Sequence, residues 1–316
     1  MQAPVVLFTY KRPALTLKTL EHLRNNVGAS SSTLIVFSDG PKDNSSPQEK
    51  KEVNEVRQII RREKWCGEVR IIESDRNKGL ADSIIDGVTE VVEKFGTAIV
   101  LEDDLISSKY FLEYMNEALQ RYANDEKVMQ ISGHNFPVGN VPAHSSFFLR
   151  HATTLGWGVW ARSWKYFDRA AAGYHELKTN PDLALRFNLN GAYSFTKLML
   201  LQMEEKSVDS WGIRWLWSVF RNNGLTLFPD KTLIKHLESN AGATHVSGSY
   251  AFAEPDFDVN YRVENFPSGV APDDEQFSKF KTYLKEAVAG KRSDNAPLPS
   301  NGIVDKVLNK IFKNKR

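Results

Sequence analysis

The sequence predicts an α/β fold in which helices flank a mainly parallel sheet. Over the first 130 residues, short apolar runs alternate with segments whose apolar residues recur at helical spacing. Such an alternation of strand and helix is typical of a parallel sheet that is covered on both faces. The chain has 316 residues, of which 41% are hydrophobic, so it can bury a core large enough for this fold.

Each predicted element has its own signal. Five apolar runs are interpreted as buried strands: residues 5–10, 33–40, 68–75, 97–104 and 127–133. Three helices are predicted between the first four strands: residues 15–23, 53–60 and 84–95. The second helix is expected to begin at Ser46 and Pro47, because serine caps helices and proline is favoured at the first helical position.

The chain is divided into three segments. Residues 1–133 contain the alternating strands and helices, and residues 134–288 form an aromatic-rich part of the same domain, predicted to fold as helices and short strands. Residues 289–316 begin as a linker and end in a basic amphipathic helix over 302–316. This helix is expected either to contact an anionic membrane peripherally or to be an ordinary terminal helix.

Composition and charge exclude several classes of protein. The 41 basic side chains nearly balance the 39 acidic ones, giving a net charge of +2, which argues against nucleic-acid binding. The single cysteine, Cys66, cannot form an intrachain disulfide and fits a reducing compartment. Neither a basic leader nor an apolar run of membrane-spanning length is visible, so a cytoplasmic location is expected.

Polar residues follow the first four predicted strands at the points where these strands end. The strand ends are residues 9–12, 38–41, 74–79 and 102–104. In parallel sheets, ligands bind at the carboxyl ends of the strands, and these ends meet at one edge. The sequence therefore predicts a binding site at this edge.

The fourth strand ends in three consecutive carboxylates, Glu102, Asp103 and Asp104. Adjacent carboxylates repel one another unless a cation or a buried base compensates them. Mn²⁺ or Mg²⁺ suits such a site, because these ions commonly take one or two carboxylates and fill the remaining positions with phosphate oxygens and water. The alternative is a helix start, where acidic residues are also favoured.

The order of motifs resembles that of a known enzyme family. TYKRP, SDGP, NKGLADSI and LEDD follow one another as in GT-A glycosyltransferases. The similarity is greatest to family 2-type enzymes and to the N-acetylglucosaminyltransferase I group, which has Glu-Asp-Asp in place of Asp-X-Asp. It continues through residues 156–168, 209–230 and 238–245, and so covers roughly residues 3–246.

This resemblance implies a metal-dependent inverting glycosyltransferase, of hexosyl- or N-acetylhexosaminyltransferase type. It would move a sugar from a nucleoside diphosphate sugar, with a UDP-sugar favoured, to a hydroxyl of a glycan or lipid-linked acceptor in surface glycan or polysaccharide synthesis. Residues 1–133 would bind the nucleotide sugar, and residues 134–288 would bind the acceptor and contain the catalytic base.

The resemblance assigns residues to the nucleotide. Thr9 and Arg12 would lie against it, with Arg12 near the diphosphate or base. Asp39 would accept a hydrogen bond from the nucleobase or ribose, and Asn77 and Lys78 would border the nucleoside and phosphates. Each of these residues also suits an ordinary turn or helix entry.

The resemblance also assigns residues to the metal. Asp104 would bind the ion directly, while Glu102 and Asp103 would contact the ribose, the donor sugar or a metal-bound water. His245, in the stretch ESNAGATH, would reach the metal or the diphosphate. This stretch is shorter than the usual family pattern.

Asp209 is the candidate base, because it occupies the position where similar enzymes place theirs. The alternative for Asp209 is a helix cap. Trp157 and Trp211 are candidates to line the acceptor groove, since aromatic faces stack on sugar rings, and Trp157, between two glycines, is expected to be the exposed one. Core packing is the alternative for both. The rival bases are Asp168, Asp182, Glu204 and Glu205.

Two other functions remain open at this point. A sugar-nucleotide pyrophosphorylase also joins a parallel sheet to a metal and a nucleotide, although it usually has a glycine-rich loop that TYKRPALT lacks. A non-catalytic protein that binds nucleotide sugars or carbohydrates would retain the fold without turnover.

Overall fold

The computed structural model of the protein describes residues 2–136, 139, 141–237 and 256–288. The strands are β1 (Val5–Thr9), β2 (Thr33–Ser38), β3 (Glu68–Glu73), β4 (Thr97–Glu102), β5 (Leu105–Ser107), β6 (Val128–Ser132), β7 (Ser146–Leu149), β8 (Trp157–Trp160), β9 (Leu225–Pro229) and β10 (Ile234–His236). The helices are α1 (Pro13–Arg24), α2 (Pro47–Arg61), α3 (Leu80–Phe95), α4 (Phe111–Arg121), α5 (Ala161–Trp164), α6 (Glu176–Thr179), α7 (Pro181–Phe187), α8 (Phe195–Met203), α9 (Trp211–Arg221) and α10 (Asp274–Val288).

The main sheet has eight strands in the order β3-β2-β1-β4-β8-β6-β9-β7. Strand β1 is parallel to β2 and β4, and β2 is parallel to β3. Strand β8 is antiparallel to both β4 and β6, so β6 and its parallel neighbour β9 run in the same direction as β1–β4. The prediction of a mainly parallel sheet flanked by helices is confirmed, and the second half of the chain contributes strands to the same sheet.

The polar strand ends lie side by side, as predicted. Thr9 is in register with Ser38, Ser38 with Glu73, and Phe8 with Glu102. The segments that follow β1, β2, β3 and β4 therefore leave the sheet along one edge. A short two-stranded sheet, β5 with β10, begins immediately beyond the acidic residues that end β4.

The alternation of side chains along β1 divides the core between the two faces of the sheet. Val5 and Leu7 belong to the apolar cluster that includes buried residues of α1, α2 and α4. Val6 and Phe8 belong to the cluster that includes the buried faces of α3, α9 and α10. Because β1 is buried on both faces, residues 5–8 include no polar side chain.

The predicted start of the second helix is confirmed. The Ser46 hydroxyl accepts a hydrogen bond from the Glu49 amide at 3.2 Å, and the Glu49 carboxylate accepts one from the Ser46 amide at 3.1 Å. Pro47 occupies the first turn. Together these contacts form a capping box, which satisfies donors that the helix itself leaves unpaired.

Two parts of the sequence prediction lie outside the described residues: His245, and the linker with the basic helix of residues 289–316. Within the described ranges, no helix is both long and apolar enough to cross a membrane.

Helix α10 packs against a buried histidine. The ring of His151 lies 4.8 Å from that of Phe280 on α10 and 5.4 Å from that of Phe195, measured between centroids. His151 is 1% exposed, and neither ring nitrogen has a hydrogen-bond partner among the described residues. Burial therefore lowers the pKa of His151 to about 3.

We expect His151→Phe to make folding less sensitive to acid. The ordinary histidine pKa is 6.5, so between pH 6.5 and 3 the unfolded chain binds a proton that the folded chain does not. The stability contributed by the neutral ring is present above this window and is lost as the pH falls through it. Urea unfolding at pH 7 and pH 4 should show a smaller loss for the variant than for the wild type, by on the order of a few kcal/mol.

His175→Phe is the control, because His175 is exposed and its replacement should leave the acid dependence unchanged. Some acid dependence should remain in His151→Phe, since burial also lowers the pKa of His134 to about 3. An identical loss of stability in the wild type and His151→Phe would contradict the assignment.

Candidate active site

The acidic residues lie in the turn between β4 and β5 and are almost completely buried. Glu102 is 9% exposed, Asp103 1% and Asp104 7%. A strand follows them directly, and the next helix begins only at Phe111. The alternative that these residues mark a helix start is therefore wrong, and their burial requires another explanation.

Arg12 compensates the two aspartates. Its Nη1 donates to Asp104 Oδ2 at 2.6 Å, and its Nη2 donates to Asp103 Oδ1. The amide of Tyr10 donates to the other oxygen of Asp103, Oδ2, at 3.2 Å. Although burial acts to lower it, the charges of Asp103 and Asp104 raise the pKa of Arg12 above its ordinary value. The loop after β1 is thus tied to the end of β4.

A second partner of Asp104, which the sequence analysis missed, is His236 on β10. Its Nε2 lies 3.2 Å from Asp104 Oδ2. Antiparallel pairing of His236 with Leu105 and a hydrogen bond from the Leu237 amide to the Asp104 carbonyl, at 2.7 Å, hold it there. Burial acts to lower the pKa of His236. The hydrogen bond to Asp104 and the charge of that carboxylate outweigh burial, so the pKa of His236 is raised above its ordinary value. The only local signal was a histidine ending the short apolar run TLIKH.

The three carboxylates differ in their readiness to ionise. Burial, and then the charge of Asp104, raises the pKa of Glu102 to about 8. Burial also raises the pKa of Asp103, although Arg12 opposes it. For Asp104, the hydrogen bond to His236 and the charge of Arg12 outweigh burial and lower the pKa. Asp104 is therefore the member of the trio that carries a negative charge most readily.

The donor set suits a divalent ion that needs few protein ligands. Within the part of the chain that the structure describes, no group of three or more His, Cys, Asp or Glu side chains could hold a metal by itself. Asp104 and His236 nevertheless offer a carboxylate and an imidazole whose ligand atoms meet at 3.2 Å. Mg²⁺ and Mn²⁺ commonly take only one or two carboxylates and complete their coordination with phosphate and water oxygens. These residues fit such an ion.

Asp39 ties the end of β2 to the loop before α3. Its Oδ1 accepts from the amides of Gly40 at 2.9 Å and Lys78 at 2.8 Å. Its Oδ2 accepts from Asn77 Nδ2 at 2.8 Å and from the Gly79 amide at 3.1 Å. A carboxylate has about four acceptor sites, and these four hydrogen bonds use those of Asp39. Asp39 and Asn77 therefore shape this loop, whatever contact they also make with a ligand.

Two of the predicted nucleotide-binding residues border the same edge. Thr9 ends β1 and is 4% exposed, and its hydroxyl has no hydrogen-bond partner among the described residues. Lys78 is exposed beside Asp39. The structure thus brings Thr9, Arg12 and the acidic trio together, with the loop that contains Lys78 alongside.

Asp209 lies close to the loop that contains Lys78 and Gly79. Its Oδ2 would lie 3.8 Å from a Cβ atom placed on Gly79, and its Oδ1 lies 3.7 Å from Arg214 Nη2. The side chain is 58% exposed. Helix α9 is capped by Ser210, whose hydroxyl accepts from the Ile213 amide at 3.3 Å. The alternative that Asp209 is the capping residue is therefore wrong.

Two of the rival bases have structural roles. The carboxylate of Asp168 accepts from the amides of Ala170 and Ala172, at 2.8 and 2.7 Å. Glu204 pairs with Lys178 at 3.0 Å. Asp182 and Glu205 are exposed.

The expectation that Trp157 is exposed is wrong. Trp157 is 1% exposed and Trp211 is 2% exposed. Their rings stack on each other, with centroids 5.1 Å apart. Trp157 lies on β8, whose four residues are all buried, and its ring also packs near those of Trp164 and Trp215. In this structure neither ring presents a face to an acceptor, and the core-packing alternative holds.

Residues 5–180 match the protein family described as Glycosyl transferase family 2. A search of curated proteins found no match.

Two crystal structures of TarS from S. aureus are similar to the chain. In the structure of TarS, 12% of residues are identical over 76% of this chain and 37% of that one, with a TM-score of 0.39. In the structure of TarS 1-349, the identity is 11% over 74% of this chain and 60% of that one, with a TM-score of 0.39. This chain therefore spans less than two thirds of each TarS chain it matches.

We expect Gly40→Ala to loosen the loops that surround Asp39. An added Cβ would lie 2.6 Å from the Arg76 amide nitrogen and 2.6 Å from the Ser74 carbonyl oxygen, so backbone would have to move. Overpacking of this kind costs roughly 1–3 kcal/mol, which urea unfolding should detect.

Gly269→Ala is the matched control, because nothing lies within 4 Å of the added atom. Its effect should remain within about 0.5 kcal/mol, as for ordinary surface substitutions. Equal stability of the two variants would show that the packing around Gly40 is not as tight as described.

Proposed function

Because this chain belongs to glycosyl transferase family 2, we propose that it is a metal-dependent inverting glycosyltransferase. It is proposed to move a hexosyl or N-acetylhexosaminyl group from a nucleoside diphosphate sugar, with UDP as the favoured carrier, to a hydroxyl acceptor. The observation that supports this proposal best is the meeting of Asp103, Asp104, Arg12 and His236 at the carboxyl edge of the sheet. A permanent cation and an imidazole beside two carboxylates suit a ligand that itself brings a diphosphate and a metal ion.

The donor is proposed to bind along the ends of β1, β2 and β4. Thr9 and Arg12 would contact the nucleotide from the first loop, and Lys78 would approach the phosphates from the loop before α3. Asp39 and Asn77 would act largely by holding that loop, since their hydrogen bonds join it to β2.

Glu102, Asp103 and Asp104 have separate proposed roles. Glu102 and Asp103 would contact the ribose, the donor sugar or a bound water, while Asp104 would hold Mn²⁺ or Mg²⁺ together with His236. When bound, such an ion stabilises the negative charge that grows on the departing diphosphate. The Glu-Asp-Asp order is also the basis for proposing a similarity to the N-acetylglucosaminyltransferase I group.

Asp209 is proposed as the base. A sugar hydroxyl is a poor nucleophile, and a carboxylate that takes its proton accelerates the attack. Asp209 is exposed, and it approaches the proposed donor loop at Gly79, which lacks a side chain. A base opposite the leaving group gives one displacement and inverts the anomeric carbon.

The acceptor is proposed to be a glycan or a lipid-linked glycan in surface glycan or polysaccharide synthesis. Residues 134–288 would bind it, and residues 1–133 would bind the donor. A peripheral contact of residues 302–316 with an anionic membrane is proposed from their sequence pattern alone. Family membership disfavours both a pyrophosphorylase and a non-catalytic binding protein.

We expect Asp104→Asn to abolish metal-dependent nucleotide binding. The substitution removes the negative charge on which the proposed ion depends. Thermal-shift assays with UDP, GDP, CDP and dTDP sugars, with and without Mn²⁺, should show a Mn²⁺-dependent stabilisation by one of the four in the wild type only. Asp182→Asn, an exposed aspartate on α7, is the control. Unchanged Mn²⁺ dependence in Asp104→Asn would exclude Asp104 as a ligand.

We expect Asp209→Ala to lower the rate of transfer by roughly 10²- to 10⁴-fold, the usual contribution of a general base. The variant should bind the donor with wild-type affinity, because the proposed role of Asp209 is toward the acceptor hydroxyl and not the donor. Steady-state kinetics and donor titration would separate these two effects. Glu205→Ala, at an exposed neighbouring carboxylate, should retain activity. Full activity in Asp209→Ala would mean that another group is the base.

A further inference from the structure

Arg12 spans the two aspartates of the acidic trio with the two arms of its guanidinium. The side chains of Asp103 and Asp104 are 2% and 10% exposed, whereas that of Arg12 is 28% exposed. A guanidinium remains protonated at every working pH. Of these three side chains, the most accessible is therefore a permanent positive charge, which lies against two buried carboxylates.

Hydrogen bonds hold the backbone of Arg12 in place independently of its side chain. The Arg12 carbonyl accepts hydrogen bonds from both the amide and the hydroxyl of Thr16, each at 2.9 Å. Pro13 follows at the start of α1. The guanidinium could thus leave the aspartates through side-chain torsions alone, without any change in the fold.

Arg12 and His236 contact the same atom. Arg12 Nη1 lies 2.6 Å and His236 Nε2 lies 3.2 Å from Asp104 Oδ2. Arg12 contributes a fixed positive charge at this position. A divalent ion that approaches Asp104 would therefore be repelled by Arg12 and would compete with it for the carboxylate.

We infer that Arg12 is a resident counter-ion that competes with the metal for Asp104 and transfers to the diphosphate when the donor binds. This inference rests on the proposed function. It explains how one arginine can serve both the buried aspartates and a ligand phosphate. Before donor binding, Arg12 forms ion pairs with both Asp103 and Asp104. After binding, the ion neutralises Asp104, and the diphosphate offers oxygens to which a guanidinium can form paired hydrogen bonds.

The consequence is that metal and diphosphate bind as a pair. The ion alone binds weakly, because it must displace or oppose Arg12, and the diphosphate supplies the negative charge that receives the displaced guanidinium. Coupling between two ligands is reciprocal, so each should strengthen the binding of the other by the same factor. Arg12 is the residue that sets this factor.

A purely structural role for Arg12 predicts a different result. If Arg12 only neutralised the aspartates to stabilise the fold, its removal would weaken the site for every ligand. Competition predicts opposite signs for the two ligands: removal of Arg12 should strengthen Mn²⁺ binding in the absence of nucleotide and weaken UDP binding in the presence of Mn²⁺.

The test measures Mn²⁺ binding by the full chain, alone and with saturating UDP, through electron paramagnetic resonance of free Mn²⁺ and calorimetry. We expect Arg12→Gln to bind Mn²⁺ alone more tightly than the wild type, within the roughly 5- to 150-fold range that is typical of coupling between sites. Arg169→Gln is the matched control, because Arg169 also forks across two aspartates, Asp82 and Asp86, on an exposed surface. Its Mn²⁺ affinity should equal that of the wild type.

Arg12→Lys serves if Arg12→Gln does not fold. A lysine retains the charge but cannot bridge both aspartates with a planar fork, so it should tighten Mn²⁺ binding by a smaller factor. If neither variant binds Mn²⁺ more tightly, while Asp104→Asn still abolishes Mn²⁺ binding, the exchange is wrong and the proposed function stands. If neither the wild type nor Arg12→Gln binds Mn²⁺, with or without UDP, the proposed metal dependence fails as well.

Discussion

The candidate site depends on the ion pairs that one arginine forms with two buried carboxylates. Moving a charge out of water costs several kcal/mol even after relaxation, so a buried carboxylate needs a partner with good geometry. Asp103 and Asp104 find theirs in Arg12, which lies some ninety residues earlier in the chain, where the loop after β1 meets α1. The Thr19 hydroxyl adds a hydrogen bond of 3.0 Å to the Asp103 carbonyl. Arg12 and Thr19 thus join α1 and the loop before it to the acidic turn, through contacts between residues that are far apart in the sequence.

The neighbouring loops are held by the same device. Asp39 accepts three hydrogen bonds that join the end of β2 to the loop before α3, and Gly79 in that loop approaches Asp209. Carboxylates thus act as cross-links between adjacent strand ends, and positions that bind ligands are held by groups that also stabilise the fold. A substitution at Asp39 would therefore change loop geometry as well as any direct contact with a nucleotide.

Much of the fold could be predicted because periodicity and strand ends are local. The apolar runs of β1–β4 and β6, the capping box of α2, and the shared edge all follow from residues near one another in sequence. The burial of Trp157 could not be predicted, because its two flanking glycines are also typical of an exposed turn. Long-range pairing places β8 between β4 and β6, and the apolar side chains of distant helices then bury Trp157 in the core.

The sequence predicts that the site needs positive charge, but it does not predict which residues lie beside the carboxylates. Three adjacent carboxylates show that positive charge must be nearby, and a divalent ion is one answer. In the described residues, Arg12 and His236 give another, and neither lies close to the trio in sequence. An acidic cluster therefore specifies how much charge must be balanced, not which cation balances it. Where the chain supplies the cation itself, any ion that approaches the carboxylate must compete with that cation.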